Sequence, residues 1–194
     1  MEQAHGLPHG EHLTISAVHD AQGSVSGYVW QFAAQEDRVT ARIQPEHMAY
    51  HDALTRLPNR VLFHERLRFD VAQARRARRL LAVCYLDLDN FKRLCDSRGR
   101  RVGERLLEMV ARRLRECVRA DDTIARLGGD EFALILNGFS RVEEIQPAIS
   151  RILTKLAAPY ALEQEQLALS ASIGVSLFPI DDSQPDTLLR HADH

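Results

Sequence analysis

The chain has 194 residues, of which 45% are hydrophobic, and its formal net charge is −2. These values predict one well-packed domain with a short additional segment, and the small net charge argues against a general polyanion binder. Three cysteines without CxxC spacing argue against a disulfide framework or a zinc site. No apolar run approaches the roughly 18 residues of a membrane span. We therefore expect a soluble cytoplasmic protein, or a cytoplasmic piece of a larger one.

The N-terminal part divides into three patterns. Residues 1–12 are rich in His and Gly and lack an apolar period, which favours a flexible terminus over a metal site at its histidines. Residues 13–35 contain two alternating apolar runs that flank DAQG, which is typical of a β-hairpin. Because two strands alone are marginal in water, this hairpin requires a partner. Residues 36–51 have helical composition interrupted by Pro45, which predicts a kinked linker or two short helices.

From residue 59 onward, helical and strand patterns alternate. Asn59 is a good N-cap for a helix to about Arg79, whose RRARR end we interpret as a solvated last turn rather than a nucleic-acid patch. The remaining predicted elements, in chain order, are a buried strand in LLAVCYLDLD, a helix over 102–119, a strand pair around Gly128–Gly129, a helix near 142–157, a strand in QLALSASIGVSLFP and a helix start in DTLLRHADH. This order predicts an α/β fold, an α+β sandwich whose mixed central sheet is flanked by helices.

Two acidic clusters follow predicted strands. Asp87 and Asp89 alternate with period two and so share one face, and the GGDE hairpin brings Asp130 close to Asp87 if the two strands pair. Carboxylates from two strands form a hard oxygen site suited to Mg²⁺ and phosphate chemistry. An ordinary GG turn beside a strand-end cap explains the same residues. The pattern alone leaves both interpretations open.

Four ordered motifs carry a more specific resemblance. They are DALTRLPNR at 52–60, LDLDNFKRLCD at 86–96, RLGGDEF at 126–132 and SASIGVS at 170–176. Together they resemble the GGDEF domain of bacterial diguanylate cyclases, which implies a fold similar to the palm of polymerases and nucleotidyl cyclases. It also implies condensation of two GTP into cyclic di-GMP and two pyrophosphates, with Mg²⁺ or Mn²⁺, by a homodimer.

The segment before these motifs resembles the last strands of a PAS sensor domain. On this basis the expected organisation is a flexible terminus with PAS-like strands over 1–35, a helical linker over 36–51 and a GGDEF domain, truncated at its C-terminus, over 52–194. Family members continue into a helix with a lysine and an arginine that contact the triphosphate, whereas this chain ends at His194. The expected neighbours in a full-length protein are a PAS domain and an EAL phosphodiesterase domain.

The resemblance also implies roles for individual residues. Metal ligands would be Asp87, Asp130 and the Leu88 carbonyl, and Glu131 would activate the attacking ribose 3′-hydroxyl. The substrate would contact Phe91, Lys92, Cys95, Glu104, Gly128 and Gly129. Arg119 and Asp122, in RADD, match the RxxD motif of an inhibitory cyclic di-GMP site.

Several positions depart from the family pattern. Cys95 stands where an asparagine usually contacts guanine, Glu104 replaces an aspartate, Arg100 replaces a histidine, and Arg56 occupies a common glycine position. Because a thiol is a poor substitute for an amide, a second hypothesis remains. It is a degenerate GGDEF domain that binds GTP or cyclic di-GMP and regulates a neighbour. A third is an unrelated metal-dependent nucleotidyl transferase that uses the same two aspartates for a different base.

Overall fold

The computed structural model describes residues 12–19, 25–33, 49–162, 165–182 and 184–194, the first two ranges as backbone. The chain forms two compact units, residues 1–47 and 48–194. In the first, β1 (His12–His19) pairs antiparallel with β2 (Val25–Ala33), which confirms the predicted hairpin. Its DAQG turn, the flexible terminus predicted for residues before His12 and most of the predicted linker lie outside the described residues.

The second unit alternates helices and strands. Its described elements are α1 (Arg60–Ala77), β3 (Leu80–Leu88), α2 (Phe91–Arg98), α3 (Arg100–Cys117), β4 (Thr123–Gly128), β5 (Glu131–Phe139), α4 (Ile145–Ala157), β6 (Tyr160–Leu162), β7 (Glu165–Leu167), β8 (Ala171–Phe178) and α5 (Pro185–Asp193). A 3₁₀ turn, Val142–Glu144, precedes α4. None of the described helices is both long enough and apolar enough to cross a membrane.

The main sheet has the order β4-β5-β3-β8. This confirms the predicted fold class of a sheet flanked by helices but corrects one detail, because all three described pairings in this sheet are antiparallel rather than mixed. Strands β3 and β4 do run parallel, but β5 folds back from β4 and lies between them. The order corresponds to a split β-α-β unit, in which parallel strands are never hydrogen-bonded neighbours.

Strand β3 is buried on both faces, as its apolar run predicts. One face, with Ala82, Cys84 and Leu86, packs against α3 and α4 in one hydrophobic cluster. The other face, with Leu81 and Val83, packs against α1 and α5 in a second cluster. Because both faces are covered by helices, the strand places its C-terminal end, with Asp87, at the edge of a rigid scaffold.

Helix α1 begins as predicted, since the Asn59 side chain accepts hydrogen bonds from the backbone N–H groups of Val61 and Leu62. It ends at Ala77, two residues before the predicted end. The arginine-rich end is exposed, as predicted, and two of its arginines have partners. The Arg75 guanidinium lies 5.7 Å from the ring centre of Phe178, and Arg79 donates a hydrogen bond to Ser140.

Three other boundaries differ from the prediction. Helix α3 covers 100–117 instead of 102–119, and the separate helix α2 precedes it, with Gly99 between them at φ 88°. The single strand predicted near residues 166–179 is two strands, and β7 pairs with β6 in a small hairpin. Between the two strands, the buried Leu169 packs into the core and the Ser170 carbonyl accepts a hydrogen bond from the Asp89 N–H.

Arg56 occupies a tight turn with a φ of 57°, which explains why glycine is favoured at this position. Its N–H donates to the Asp52 carbonyl, and the Asp52 N–H donates to the Leu57 carbonyl. A left-handed conformation costs a residue with a Cβ roughly 1–2 kcal/mol, while glycine loses about 0.5–1 kcal/mol more backbone entropy on folding.

We therefore predict that Arg56→Gly raises the free energy of unfolding, by about 1.5 kcal/mol at most. Urea denaturation would measure the change. Arg56→Ala is the matched control, because it removes the same charged side chain but keeps the Cβ. If Arg56→Gly were no more stable than Arg56→Ala, backbone strain at this turn would be refuted.

Candidate active site

The hairpin between β4 and β5 contains the paired glycines and acids. Gly128 and Gly129 have φ values of 149° and 51°, which disfavour residues with a Cβ. A Cβ built on either glycine would meet nothing within 4 Å. The glycines are therefore required by the turn conformation rather than by a close neighbour, and the space above them is open.

The strand register brings the predicted carboxylates together. Glu131 lies directly opposite Asp87 in the antiparallel pairing of β3 with β5, where Cα atoms are about 4.5–5.5 Å apart. Asp130 precedes Glu131 at the tip of the hairpin. Partial burial raises the pKa of Asp87, and the negative charges of Asp130, Glu131, Asp89 and Asp193 raise it further. The site is thus a crowded cluster of acids.

Asp89 has a separate role in the scaffold. Its carboxylate accepts hydrogen bonds from the hydroxyl groups of Ser170, at 2.6 Å, and Ser172, at 2.8 Å. These contacts join the end of β3 to the start of β8. They fix the backbone on the C-terminal side of Asp87 and Leu88.

Three residues near the acids were missed from the sequence. Arg60 lies 3.5 Å from Glu131 in an exposed ion pair. Burial and a hydrogen bond to Glu131 raise the pKa of Tyr85, which shares a strand face with Asp87 because the two are separated by one residue. Asp193, in α5, acts on Asp87 through its charge. The period of β3 could have indicated Tyr85, whereas the position of Asp193 depends on how α5 packs.

Helix α5 approaches the sheet closely at Gly174. A Cβ on this glycine would lie 1.9 Å from the Ala192 carbonyl oxygen, a distance that real Cβ atoms do not show. The helix backbone therefore rests directly on the backbone of β8. This contact positions Asp193, the residue that follows Ala192.

A cavity of about 500 Å³ opens beside the acids, within the size range of small-molecule sites. From the hairpin it is lined by Arg126, Gly129 and Asp130; from α2 and α3 by Phe91, Lys92, Cys95, Arg100, Gly103, Glu104 and Leu107; and from the preceding segment by Leu54. Six predicted site residues thus share one cavity. The other predicted residues of this site, Asp87, Leu88, Gly128 and Glu131, are not part of its lining.

The helix side of this cavity contains the two unusual residues. Cys95 packs against Gly103, since a Cβ there would lie 2.4 Å from the Cys95 sulfur. Partial burial raises the pKa of the Cys95 thiol, with smaller effects from Asp96 and Asp130. Arg100 Nε donates a hydrogen bond to Glu104 Oε1 at 2.8 Å. A thiol, a carboxylate and a guanidinium therefore form this wall.

Arg126 holds the hairpin in place. Its guanidinium donates to both carboxylate oxygens of Asp52, each at 3.0 Å, and to the Gly129 carbonyl, at 2.7 and 3.0 Å. Burial alone would raise the pKa of Asp52, but hydrogen bonds from Thr55 and Arg126 outweigh burial and hold this pKa below its ordinary value. The sequence motifs contain these residues, but nothing in their spacing indicated the contact.

A second cavity, of about 350 Å³, surrounds the predicted RxxD residues Arg119 and Asp122. The Asp122 carboxylate accepts hydrogen bonds from the N–H groups of Arg119 and Asn137, each at 2.9 Å. Arg151 also lines this cavity and donates to the Cys117 carbonyl at 3.0 Å. Arg151 was missed because it lies on α4, far from the motif in sequence.

The described residues contain no group of three or more His, Cys, Asp or Glu side chains arranged to hold a metal ion. Asp87 and Asp130 are therefore a pair of carboxylates rather than a complete coordination shell. Two carboxylates with a backbone carbonyl are hard oxygen donors, which suit a divalent cation whose remaining ligands come from water or phosphate.

Comparison with known proteins agrees with the fold and the motifs. The chain is 42% identical over 146 residues to the bifunctional diguanylate cyclase/cyclic di-GMP phosphodiesterase MucR of Pseudomonas aeruginosa. It is 40% identical over 145 residues to the cyclic di-GMP phosphodiesterase NbdA of the same species. These matches cover 75% of this chain but only 21% of MucR and 18% of NbdA. The chain thus spans about a fifth of these relatives.

A solved structure of the GGDEF domain of P. aeruginosa TpbB superposes with a TM-score of 0.71 and 37% sequence identity, covering 74% of this chain and 84% of that one. The family model described as the GGDEF domain of diguanylate cyclases matches residues 49–194. These residues contain the acid cluster and both cavities. The chain therefore belongs to the GGDEF family.

Proposed function

We propose that the protein is a diguanylate cyclase that condenses two GTP into cyclic di-GMP and two pyrophosphates. One observation carries the proposal: the register of β3 and β5 sets Glu131 opposite Asp87, with Asp130 at the adjoining tip and in the wall of the 500 Å³ cavity. Carboxylates next to a cavity of nucleotide size are suited to phosphoryl transfer. Family membership supports the same reaction.

The acid cluster fits a divalent metal, Mg²⁺ or Mn²⁺. Asp87, Asp130 and the Leu88 carbonyl would hold it, and the bound ion would neutralise charge on the reacting phosphates. The raised pKa of Asp87 supports this assignment, because negative neighbours contribute to it and a cation relieves their repulsion. The phosphate oxygens of the nucleotide would complete the coordination that two side chains leave open.

The substrate would extend along the cavity from the hairpin to α3. Helix α2 begins at Phe91 without a side-chain cap from Asn90, so its first N–H groups are free of intrahelical partners and are suited to phosphate binding. Lys92 adds a cation. At the helix wall, the Glu104 carboxylate would accept hydrogen bonds from N1–H and the 2-amino group of guanine.

Glu131 would accept the proton of the ribose 3′-hydroxyl. Tyr85 and Arg60 hold its carboxylate by a hydrogen bond and an ion pair. The deprotonated oxygen of one GTP would attack the α-phosphate of the other, and pyrophosphate would leave. Since each cavity accommodates one nucleotide, two copies of the chain would have to meet face to face, and both bonds of the cyclic product would form between them.

A second candidate function is a nucleotide-binding module that regulates a neighbouring domain. Cys95 favours it, because a thiol replaces the amide of the family pattern in the wall of the cavity. NbdA, which has the same kind of domain, is described as a phosphodiesterase. In that setting an EAL domain would be the regulated partner, and the N-terminal strands would belong to a PAS-like sensor.

The second cavity would be a product-inhibition site. Arg119 and Arg151 supply two guanidinium groups around it, and such groups bind phosphates and guanine edges. The Asp122 carboxylate, held by backbone N–H groups of Arg119 and Asn137, would fix the loop that presents Arg119. Cyclic di-GMP bound here would lower the rate of its own synthesis.

The first prediction concerns turnover. Incubation with GTP and Mg²⁺ should yield cyclic di-GMP and pyrophosphate, resolved by chromatography, and Asp130→Ala should abolish both products because the metal loses a ligand. The variant should melt at no lower a temperature than the parent, because the removed carboxylate repels Asp87. Product formation by Asp130→Ala at the parent rate would refute the metal assignment. A parent that binds GTP without turnover would favour the regulatory module.

The second prediction concerns charge repulsion. The pKa of Asp87 is higher in the folded state than in the unfolded state. At a pH above the folded-state pKa, the ionised carboxylate therefore lowers the free energy of unfolding. This destabilisation disappears as the pH falls below the pKa of an ordinary aspartate. With a chelator at pH 7.5, Asp87→Asn should therefore melt at a higher temperature than the parent, and the difference should narrow toward pH 4.

Glu108→Gln, exposed in the middle of α3, is the matched control and should not raise the melting temperature. Mg²⁺ should stabilise the parent, by about 2.7 kcal/mol at a hundredfold excess over its Kd, but not the Asp87→Asn variant. Equal stabilisation of both proteins by Mg²⁺ would show that the ion binds elsewhere.

The third prediction concerns the second cavity. Arg119→Ala should weaken cyclic di-GMP binding at least tenfold, which corresponds to about 1.4 kcal/mol, because a guanidinium contact is lost. Titration calorimetry measures this affinity. Arg112→Ala, an exposed arginine on α3 outside this cavity, is the control. Unchanged affinity in Arg119→Ala would rule out a role for the RxxD motif in product binding.

A further inference from the structure

The wall of the nucleotide cavity carries an ion pair that the proposed catalytic steps do not use. Arg100 Nε donates to Glu104 Oε1 at 2.8 Å, and both side chains line the cavity beside Cys95. The Arg100 side chain is 91% exposed and that of Glu104 43% exposed. A solvated pair of this kind contributes little to stability, so its position in the cavity calls for a different explanation.

The pair leaves most of its hydrogen-bonding capacity unused. Only the Nε–H of Arg100 is engaged by Glu104, so the two terminal amino groups of the planar guanidinium remain as donors. Glu104 keeps Oε2 as an acceptor. The wall therefore presents an acceptor directly beside a fork of donors. Cys95, on α2 and facing Gly103 of α3, adds only a weak donor and acceptor.

Guanine has the complementary edge. Its N1–H and 2-amino groups are adjacent donors, followed by O6 and N7, which are acceptors that arginine contacts in a bidentate manner. We propose that Arg100 is a specificity residue that binds the O6 and N7 atoms of guanine while Glu104 binds N1–H and the 2-amino group. This inference rests on the proposed use of GTP and assigns recognition of the O6 edge to Arg100 in place of Cys95.

The same arrangement rejects adenine. Adenine carries an amino group where guanine has O6, so the donors of Arg100 would face another donor, and its N1 would present a lone pair to the Glu104 carboxylate. Adenine therefore loses the contacts to O6 and N1–H that guanine makes, and its affinity should be lower. The pair also has no net charge, which suits an uncharged base.

The test uses binding alone. Titration calorimetry with Mg²⁺ would measure the affinities of non-hydrolysable analogues of GTP, ATP and ITP. Because their triphosphates are identical, the charge that a variant loses affects all three affinities equally and cancels in the ratio of any two. Arg100→Met should reduce the ratio of GTP affinity to ATP affinity, the GTP/ATP ratio, at least tenfold. Arg100→Lys, which keeps the charge but loses the fork, should also reduce it. Arg101→Met, an exposed neighbour outside the cavity, should leave it unchanged.

The inosine analogue separates direct contact from positioning. ITP lacks only the 2-amino group, so the GTP/ITP ratio reports on Glu104 and should stay at the parent value in Arg100→Met. Cys95→Asn added to Arg100→Met should restore part of the GTP/ATP ratio, because an amide again reaches the O6 edge.

Two results would overturn this inference and leave the proposed function standing. One is an unchanged GTP/ATP ratio in Arg100→Met, and the other is an equal fall of the GTP/ATP and GTP/ITP ratios, which would mean that Arg100 only holds Glu104. A parent that binds neither nucleotide would overturn the proposed function together with the inference. Failure to produce cyclic di-GMP would leave these binding ratios as valid evidence, because no turnover is measured.

Discussion

The active-site end of the sheet depends on the guanidinium of Arg126. It joins Asp52, in the segment that leads into α1, to the Gly129 carbonyl at the hairpin tip. The backbone N–H of Arg126 also donates a hydrogen bond to the Pro58 carbonyl. The side chains of Arg126 and Asp52 are only 12% and 21% exposed. Charges so poorly hydrated must find partners, so the two segments are fixed to each other. The position of Asp130 therefore depends on a segment that precedes the first helix of the domain.

Local patterns predicted much of this structure. The apolar run of β3, the Asn59 cap and the glycine-rich hairpin all depend on neighbours in the chain. The antiparallel sheet was not predictable in this way, because it depends on β5 inserting between two strands that are distant in sequence. The same limit applies to the site. Motif spacing indicated Asp87 and Asp130 as candidates, whereas Arg151 reaches its cavity, and Asp193 the neighbourhood of Asp87, only through the packing of α4 and α5.

The acid cluster and the helix side of the large cavity differ in charge. Asp87, Glu131 and Asp130 repel each other, as the raised pKa of Asp87 indicates, and of these three only Asp130 lines the cavity. On the helix side, Glu104 is paired with Arg100. A cation is thus favoured at the acid cluster and a neutral hydrogen-bonding surface at the helix side. This division matches the two ends of a nucleotide, which are charged phosphates and an uncharged base.

The contact between Gly174 and Ala192 has a consequence for the acid cluster. Because no side chain separates the two backbones, the distance between α5 and β8 at this point is as short as helix–strand packing permits. Even the methyl group of Gly174→Ala would push the last turn of α5 outward and move Asp193 away from the sheet. The electrostatic effect of Asp193 on Asp87 therefore depends on Gly174, a residue that carries no charge.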